Sequence, residues 1–143
     1  MEWPASWIKL HITIKELLPV VVGVAMWGSK WQGKTIKCKC DNAAVVAILN
    51  SGSSKDERAM QLLRSLFLFM ASYDVSVFGE HIPGVENGPA DSLSRGNHLS
   101  FLSQVPSARR EPSQVPEGLW HALVISQLDW TSQSWTGLLT GFL

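Results

Sequence analysis

The segment Lys34-Thr-Ile-Lys-Cys-Lys-Cys40 alternates strictly, with Ile36, Cys38 and Cys40 on one face and Thr35, Lys37 and Lys39 on the other. That period belongs to an extended strand with one half-buried face. The run ends at Asp41-Asn42, and the small apolar residues Ala43 to Leu49 follow at once as a helix. A strand that delivers a carboxylate to its C-terminal edge just before a helix begins is the arrangement in which α/β sheets place binding groups.

The neighbouring segments extend the same pattern. Asn50 to Ser54 reads as a loop, and Ser54-Lys-Asp-Glu57 has the spacing of a capping box. The helix it opens carries Ala59, Leu62, Leu63, Leu66, Phe69 and Met70 at three-and-four spacing, so one side faces a core. Val75 to Phe78 alternates again and predicts a second strand. Upstream, Ile8, Leu10 and Ile12 fall on alternate positions, which predicts a strand ending near His11. Thr13-Ile-Lys-Glu16 is a further capping-box match and predicts a helix to about Trp27, with Thr13 as N-cap. Pro19 should kink it or delay its true start to Leu18. Gly28 to Gly33 is turn material. Through Arg95 the predicted order is strand, helix, strand, helix, helix, strand, helix, an α/β pattern without internal repeats.

Between Phe78 and Arg95 the chain is heavily punctuated. Pro83-Gly84 and Gly88-Pro89 break regular structure twice, so a loop is expected after His81, and Asp91 is expected to open a short helix from Ala90 to Leu93. The two titratable groups are thereby placed at opposite ends of one loop with a rigid frame on either side.

A chain of 143 residues with 45% hydrophobic content suffices for one domain and an appendage. The domain is expected over 1–98, followed by a Pro/Ser-rich linker over 99–118 and a short Trp-rich helical tail over 119–143. The longest apolar run, Leu17 to Met26, contains Pro19 and Gly23 and is too short to span a bilayer. The first residues lack the basic-then-apolar order of a secretory signal. Cys38 and Cys40, two apart on one strand, suit a reduced compartment, so an intracellular setting, cytoplasm or nucleus, is expected. Net charge is zero, yet residues 9–64 hold nine basic against four acidic side chains. That excess would suit a phosphate-rich partner, but on charge alone a solvated lysine face is the preferred reading.

Glu16, Asp41 and Asp91 belong to three different elements. Carboxylates gathered from separate elements repel one another unless a cation lies among them, and hard oxygen donors favour Mg²⁺ or Mn²⁺. Such ions can activate water and stabilise the leaving oxygen in phosphodiester cleavage. Each residue also has a plainer reading. Glu16 would complete the capping box with Thr13, Asp41 would cap the helix after it, Asp91 would complement a helix dipole, and His81 would be a surface loop residue.

Three segments add a resemblance. The run from Glu80 to Arg95, with a histidine ten residues and an asparagine four residues before Asp91, closely resembles the final signature of the ribonuclease H domain in retrotransposon reverse transcriptases. Ile14-Lys-Glu-Leu-Leu resembles that family's helix with an acidic ligand, and Cys40-Asp-Asn-Ala-Ala-Val its strand end with an aspartate. The match runs in family order over residues 8 to 96, and Trp27-Gly and His-Ile-Pro-Gly look most like the tyrosine-recombinase (DIRS-type) elements. The segment Asp129 to Thr136 is similar to the linker that leads toward the recombinase there.

The resemblance implies a ribonuclease H-like mixed sheet flanked by helices. It implies Glu16, Asp41 and Asp91 as ligands of Mg²⁺ or Mn²⁺ in hydrolysis of the RNA strand of an RNA·DNA hybrid. It gives His81 proton transfer or product release, lets Asn87 position the loop, and turns Asn42, Asn87 and Lys39 toward nucleic acid. Partners would be the hybrid and the reverse transcriptase and recombinase domains of the same polyprotein, with no membrane. The family uses four acids, the first on an opening strand, and here Glu2 is the only acid before Glu16. The resemblance therefore implies a domain lacking its first strand or strands, with impaired catalysis. Two other functions fit the same residues: a non-catalytic nucleic-acid-binding or bracing domain, and an interaction module acting through the Trp-rich tail.

Overall fold

The computed structural model describes residues 10–108. Within it, helix α1 spans Ile12–Trp27, strand β1 Thr35–Cys40, helix α2 Ala43–Ser51 and helix α3 Glu57–Tyr73. Strand β2 spans Ser76–His81, helix α4 Gly88–Ser94 and helix α5 His98–Gln104. Short 3₁₀ turns at Gly28–Trp31 and Gly84–Glu86 complete the path.

Strands β1 and β2 pair in parallel, from Thr35 opposite Ser76 to Cys40 opposite His81. Parallel neighbours need a long crossover, and α2 with α3 supplies it. The fold is thus α/β, with a two-stranded parallel sheet among the described residues. Alternation in β1 is as the sequence predicts, with Ile36, Cys38 and Cys40 half-buried and Thr35, Lys37 and Lys39 exposed. Its exposed face is laced by Lys37, whose Nζ lies 2.7 Å from Glu80 Oε2 and 5.7 Å from the Phe78 ring centroid.

The core lies between α1 and α3. Ile14, Leu17, Leu18, Val21 and Val24 pack with Ala59, Leu62, Leu63 and Leu66, and α2 adds Val45 and Leu49. Cys38, Cys40 and Val77 close it from the sheet side. Helix α2 sits tightly on β2 because residue 79 is glycine: a Cβ there would lie 3.1 Å from Val46 Cα. Asn50 then pairs with both backbone groups of Gly79, its Nδ2 donating to the carbonyl at 2.9 Å and its Oδ1 accepting from the N–H at 2.8 Å. One side chain thereby takes up both backbone groups of Gly79 where the described sheet has no third strand.

Several local expectations need correction. Leu10 and His11 are not strand, and Ile12 already belongs to α1; the remainder of that predicted strand lies outside the described residues. The N-cap of α1 is His11, whose Nδ1 accepts from Thr13 N–H at 3.2 Å, so Thr13 and Glu16 form no capping box. Pro19 does not delay the helix. Its ring is exposed, and Leu17, Leu18, Val21 and Val22 are buried around it. Four such burials, at about 1.5–3 kcal/mol each, outweigh the roughly 3 kcal/mol an interior proline costs. The cap of α3 is Asp56, accepting from Arg58 and Ala59 N–H, in place of the Ser54–Glu57 box. Strand β2 runs on to His81, beyond the predicted end at Phe78, and the ladder is continued by Ile82 N–H donating to Cys40 at 3.0 Å. Residues 99–104, within the segment read as linker, are helical. Beyond residue 108 the linker and the Trp-rich tail lie outside the described residues.

The stretch Ile12–Trp31 is long and apolar enough to cross a membrane. Its buried side forms this domain's core, as core helices do, and length alone is no evidence of a membrane.

Leu17→Ala should lower the unfolding free energy by about 2–5 kcal/mol, read from denaturant midpoints. Val85→Ala, at a side chain 92% exposed, should change it by less than about 0.5 kcal/mol.

Candidate metal centre

The register that sets Cys40 opposite His81 brings Asp41 and His81 to the same C-terminal edge. His81 Nε2 lies 3.3 Å from the Asp41 carbonyl oxygen, so that nitrogen carries the hydrogen and donates. Sequence reading places His81 in a loop; the structure makes it the last residue of β2, and the break falls at Pro83.

Asp41 is released from the capping role that competes for it. Asn42 is the N-cap of α2, its Oδ1 accepting from Ala44 and Val45 N–H at 3.0 and 3.4 Å. This occupies Oδ1 of Asn42, a residue the resemblance turns toward nucleic acid. Asp41 is instead exposed, with Oδ1 accepting from Asn87 Nδ2 at 3.1 Å, so the loop after β2 grips the carboxylate at the end of β1. A Cβ on Gly84 would lie 3.6 Å from Asp41 Oδ2, so the same loop passes beside the other oxygen.

Helix α1 carries Glu16 to this edge. Donor atoms of Glu16, Cys40 and Asp41 lie within 4.8 Å of one another. Glu16 Oε2 is buried with no hydrogen-bond partner, although buried carboxylate oxygens are normally satisfied. With the capping box absent, the plainer reading of Glu16 does not hold. Cys40 is the member that sequence reasoning passed over. The signal was its place on the half-buried face of β1, directly before Asp41.

The Cys40 thiol is pushed up in pKa by burial, and the nearby charges of Glu16 and Asp41 add to this. The Asn42 N–H, 3.4 Å from Sγ, acts in the opposite direction. Cys38 is raised as well, by burial first and then by Cys40. Both thiols are free. Lys37 beside Glu80 holds that carboxyl below the usual carboxylate range.

Asp91 lies in the first turn of α4 and outside the three-residue group. Its Oδ1 accepts from Arg95 Nε at 2.9 Å, a pair exposed on both sides. Lys39 is exposed on β1.

Glu16 and Asp41 present hard oxygens to one point, which fits Mg²⁺ or Mn²⁺, and the neutral thiol of Cys40 is a weak third donor to such ions. The buried, unpartnered Glu16 oxygen is the feature a cation would satisfy. Comparison with family models, with curated proteins and with solved structures finds no match.

Without metal, Glu16→Gln should stabilise the fold, by about 1–3 kcal/mol if the orphaned oxygen finds a partner as an amide. In millimolar Mn²⁺ the wild type should gain thermal stability and the variant should not. Thiols whose folded pKa is raised favour the fold below the ordinary thiol range and lose that contribution as pH climbs through it. The denaturant midpoint should therefore fall from pH 8 to pH 10, and fall less in a Cys38→Ala, Cys40→Ala double variant.

Proposed function

We propose that this chain is a ribonuclease H-like domain of retroelement origin. Its edge at Glu16, Asp41 and His81 holds a divalent cation for hydrolysis of the RNA strand of an RNA·DNA hybrid. The observation that carries this reading is the convergence of Glu16 from α1 and Asp41 from the end of β1, with one glutamate oxygen buried and unpartnered. The element types agree with the resemblance: an acid on a helix, an acid at a strand end, and a third on a short helix after a second strand.

Mg²⁺ or Mn²⁺ bound there would supply charge neutralisation at the scissile phosphate and a more acidic water. Asp41 is oriented for this by Asn87 and by the backbone contact to His81. His81, exposed at the edge, would exchange protons with attacking or departing oxygens, the general acid–base role an imidazole can take. Asp91 would join when its ion pair with Arg95 opens. Exposed pairs contribute only about 0–1 kcal/mol, so opening that pair costs little. Lys39 would meet phosphate. Selection of hybrid over duplex DNA would come from backbone shape and 2′-hydroxyls, with little base specificity.

Isothermal titration with Mn²⁺ should show one or two sites whose affinity falls at least about tenfold in Asp41→Asn, the loss expected for about 1.4 kcal/mol. Cleavage of a labelled RNA·DNA hybrid should be lost in Asp41→Asn and Asp91→Asn and kept in Asp56→Asn, which changes only a helix cap. Equal binding and equal cleavage in all of them contradicts the assignment.

A further inference from the structure

Helices α4 and α5 have seven residues each, below the length at which a helix persists without outside support. The core does not provide that support: none of residues 88–93 is fully buried, and α5 has no buried residue. Polar atoms hold them together. Gln104 Nε2 donates to Ser92 Oγ at 3.0 Å and to the carbonyl and hydroxyl oxygens of Ser100 at 3.1 and 3.2 Å. The Ser92 and Ser100 hydroxyls lie 3.2 Å apart, and Asn97 N–H donates to the Ser92 carbonyl at 2.8 Å. The oxygen end of the same glutamine amide fills the space over Gly88, where a Cβ would lie 2.6 Å from Oε1.

Gly88 opens α4 directly after Asn87, the residue whose amide grips Asp41. We infer that α5 is a polar clasp on α4 and that Gln104 is a positioning residue for the candidate metal centre, fixing α4 so that Asn87 reaches Asp41. This rests on the metal-centre reading for its functional meaning, while the clasp itself is a matter of geometry. The span from Ser92 to Gly88 covers more than one turn of α4, so a single glutamine sets both ends of that turn. None of the clasp's apolar side chains is fully buried, so its loss should loosen α4 without melting the domain.

The test uses the full chain and two variants. Gln104→Met keeps length and removes every donor. Gly88→Ala raises the helix propensity of α4 but puts a methyl where the glutamine oxygen lies. NMR follows the Asn87 side-chain amide and solvent exchange of the Asp91 and Arg95 backbone amides, which bond to Asn87 and Asp91 carbonyls.

In both variants exchange should be several-fold faster, the Asn87 amide should shift toward the position of a free side chain, and the melting temperature should match wild type. Slower exchange in Gly88→Ala, as propensity alone dictates, overturns the clasp. So does an Asn87 signal that stays in place in either variant. Mn²⁺ titration should show several-fold weaker binding wherever Asn87 is displaced, and unchanged binding with Asn87 displaced overturns the positioning role. A wild type that binds no Mn²⁺ removes the metal-centre reading instead, and the Asn87 signal alone then decides the clasp.

Discussion

Parallel pairing of β1 with β2 is the constraint on which the other features depend. Two parallel neighbours cannot be joined by a tight turn, so the chain between them must leave the sheet, cross it and return. Here that crossover is α2 and α3, and α3 buries Ala59, Leu62, Leu63 and Leu66 against α1. The same pairing, with Cys40 opposite His81, ends both strands at one edge. Asp41, His81 and the loop carrying Asn87 meet there because of the register, and Glu16 arrives because α1 packs over the same core.

The edge gathers charge without a matching counter-charge in the three-residue group. Asp41 is exposed and receives one amide, whereas Glu16 keeps a buried oxygen unpaired. Among the described residues Glu16 Oε2 and Gln61 Oε1 are the buried side-chain oxygens without a partner, and of the two only Glu16 stands beside another carboxylate; such departures from full satisfaction concentrate at functional sites. Asp91 differs in kind. Its partner Arg95 is four residues away on an exposed surface, an arrangement that is easily exchanged.

Much of this architecture could be read from periodicity. The alternation in 34–40 and the three-and-four spacing in 59–70 each specify one element, and both elements are present with the predicted faces inward. The strand ends and the caps were harder to read. Thr13 and Ser54 match a capping box, but His11 and Asp56 take the role, because cap choice is settled by which side chain the backbone geometry can reach. His81 precedes a proline and a glycine and reads as loop, but β1 runs to Cys40 and supplies ladder partners up to that position. The approach of Glu16 to Asp41 was implied by the resemblance, since the residues alone left Glu16 to a capping box. The part played by Cys40 was hidden because a cysteine on a half-buried strand reads as packing. The α4–α5 clasp left no hydrophobic pattern, since it is built from serine, asparagine and glutamine.

The central claim is that Glu16 and Asp41 share one divalent ion. The most direct measurement is anomalous diffraction from crystals of the chain soaked in Mn²⁺. The account predicts an anomalous peak within coordinating distance of both carboxylates, with Asn87 still bonded to Asp41. Glu16 turned to solvent with no peak at this edge, or a peak that neither carboxylate touches, would contradict it.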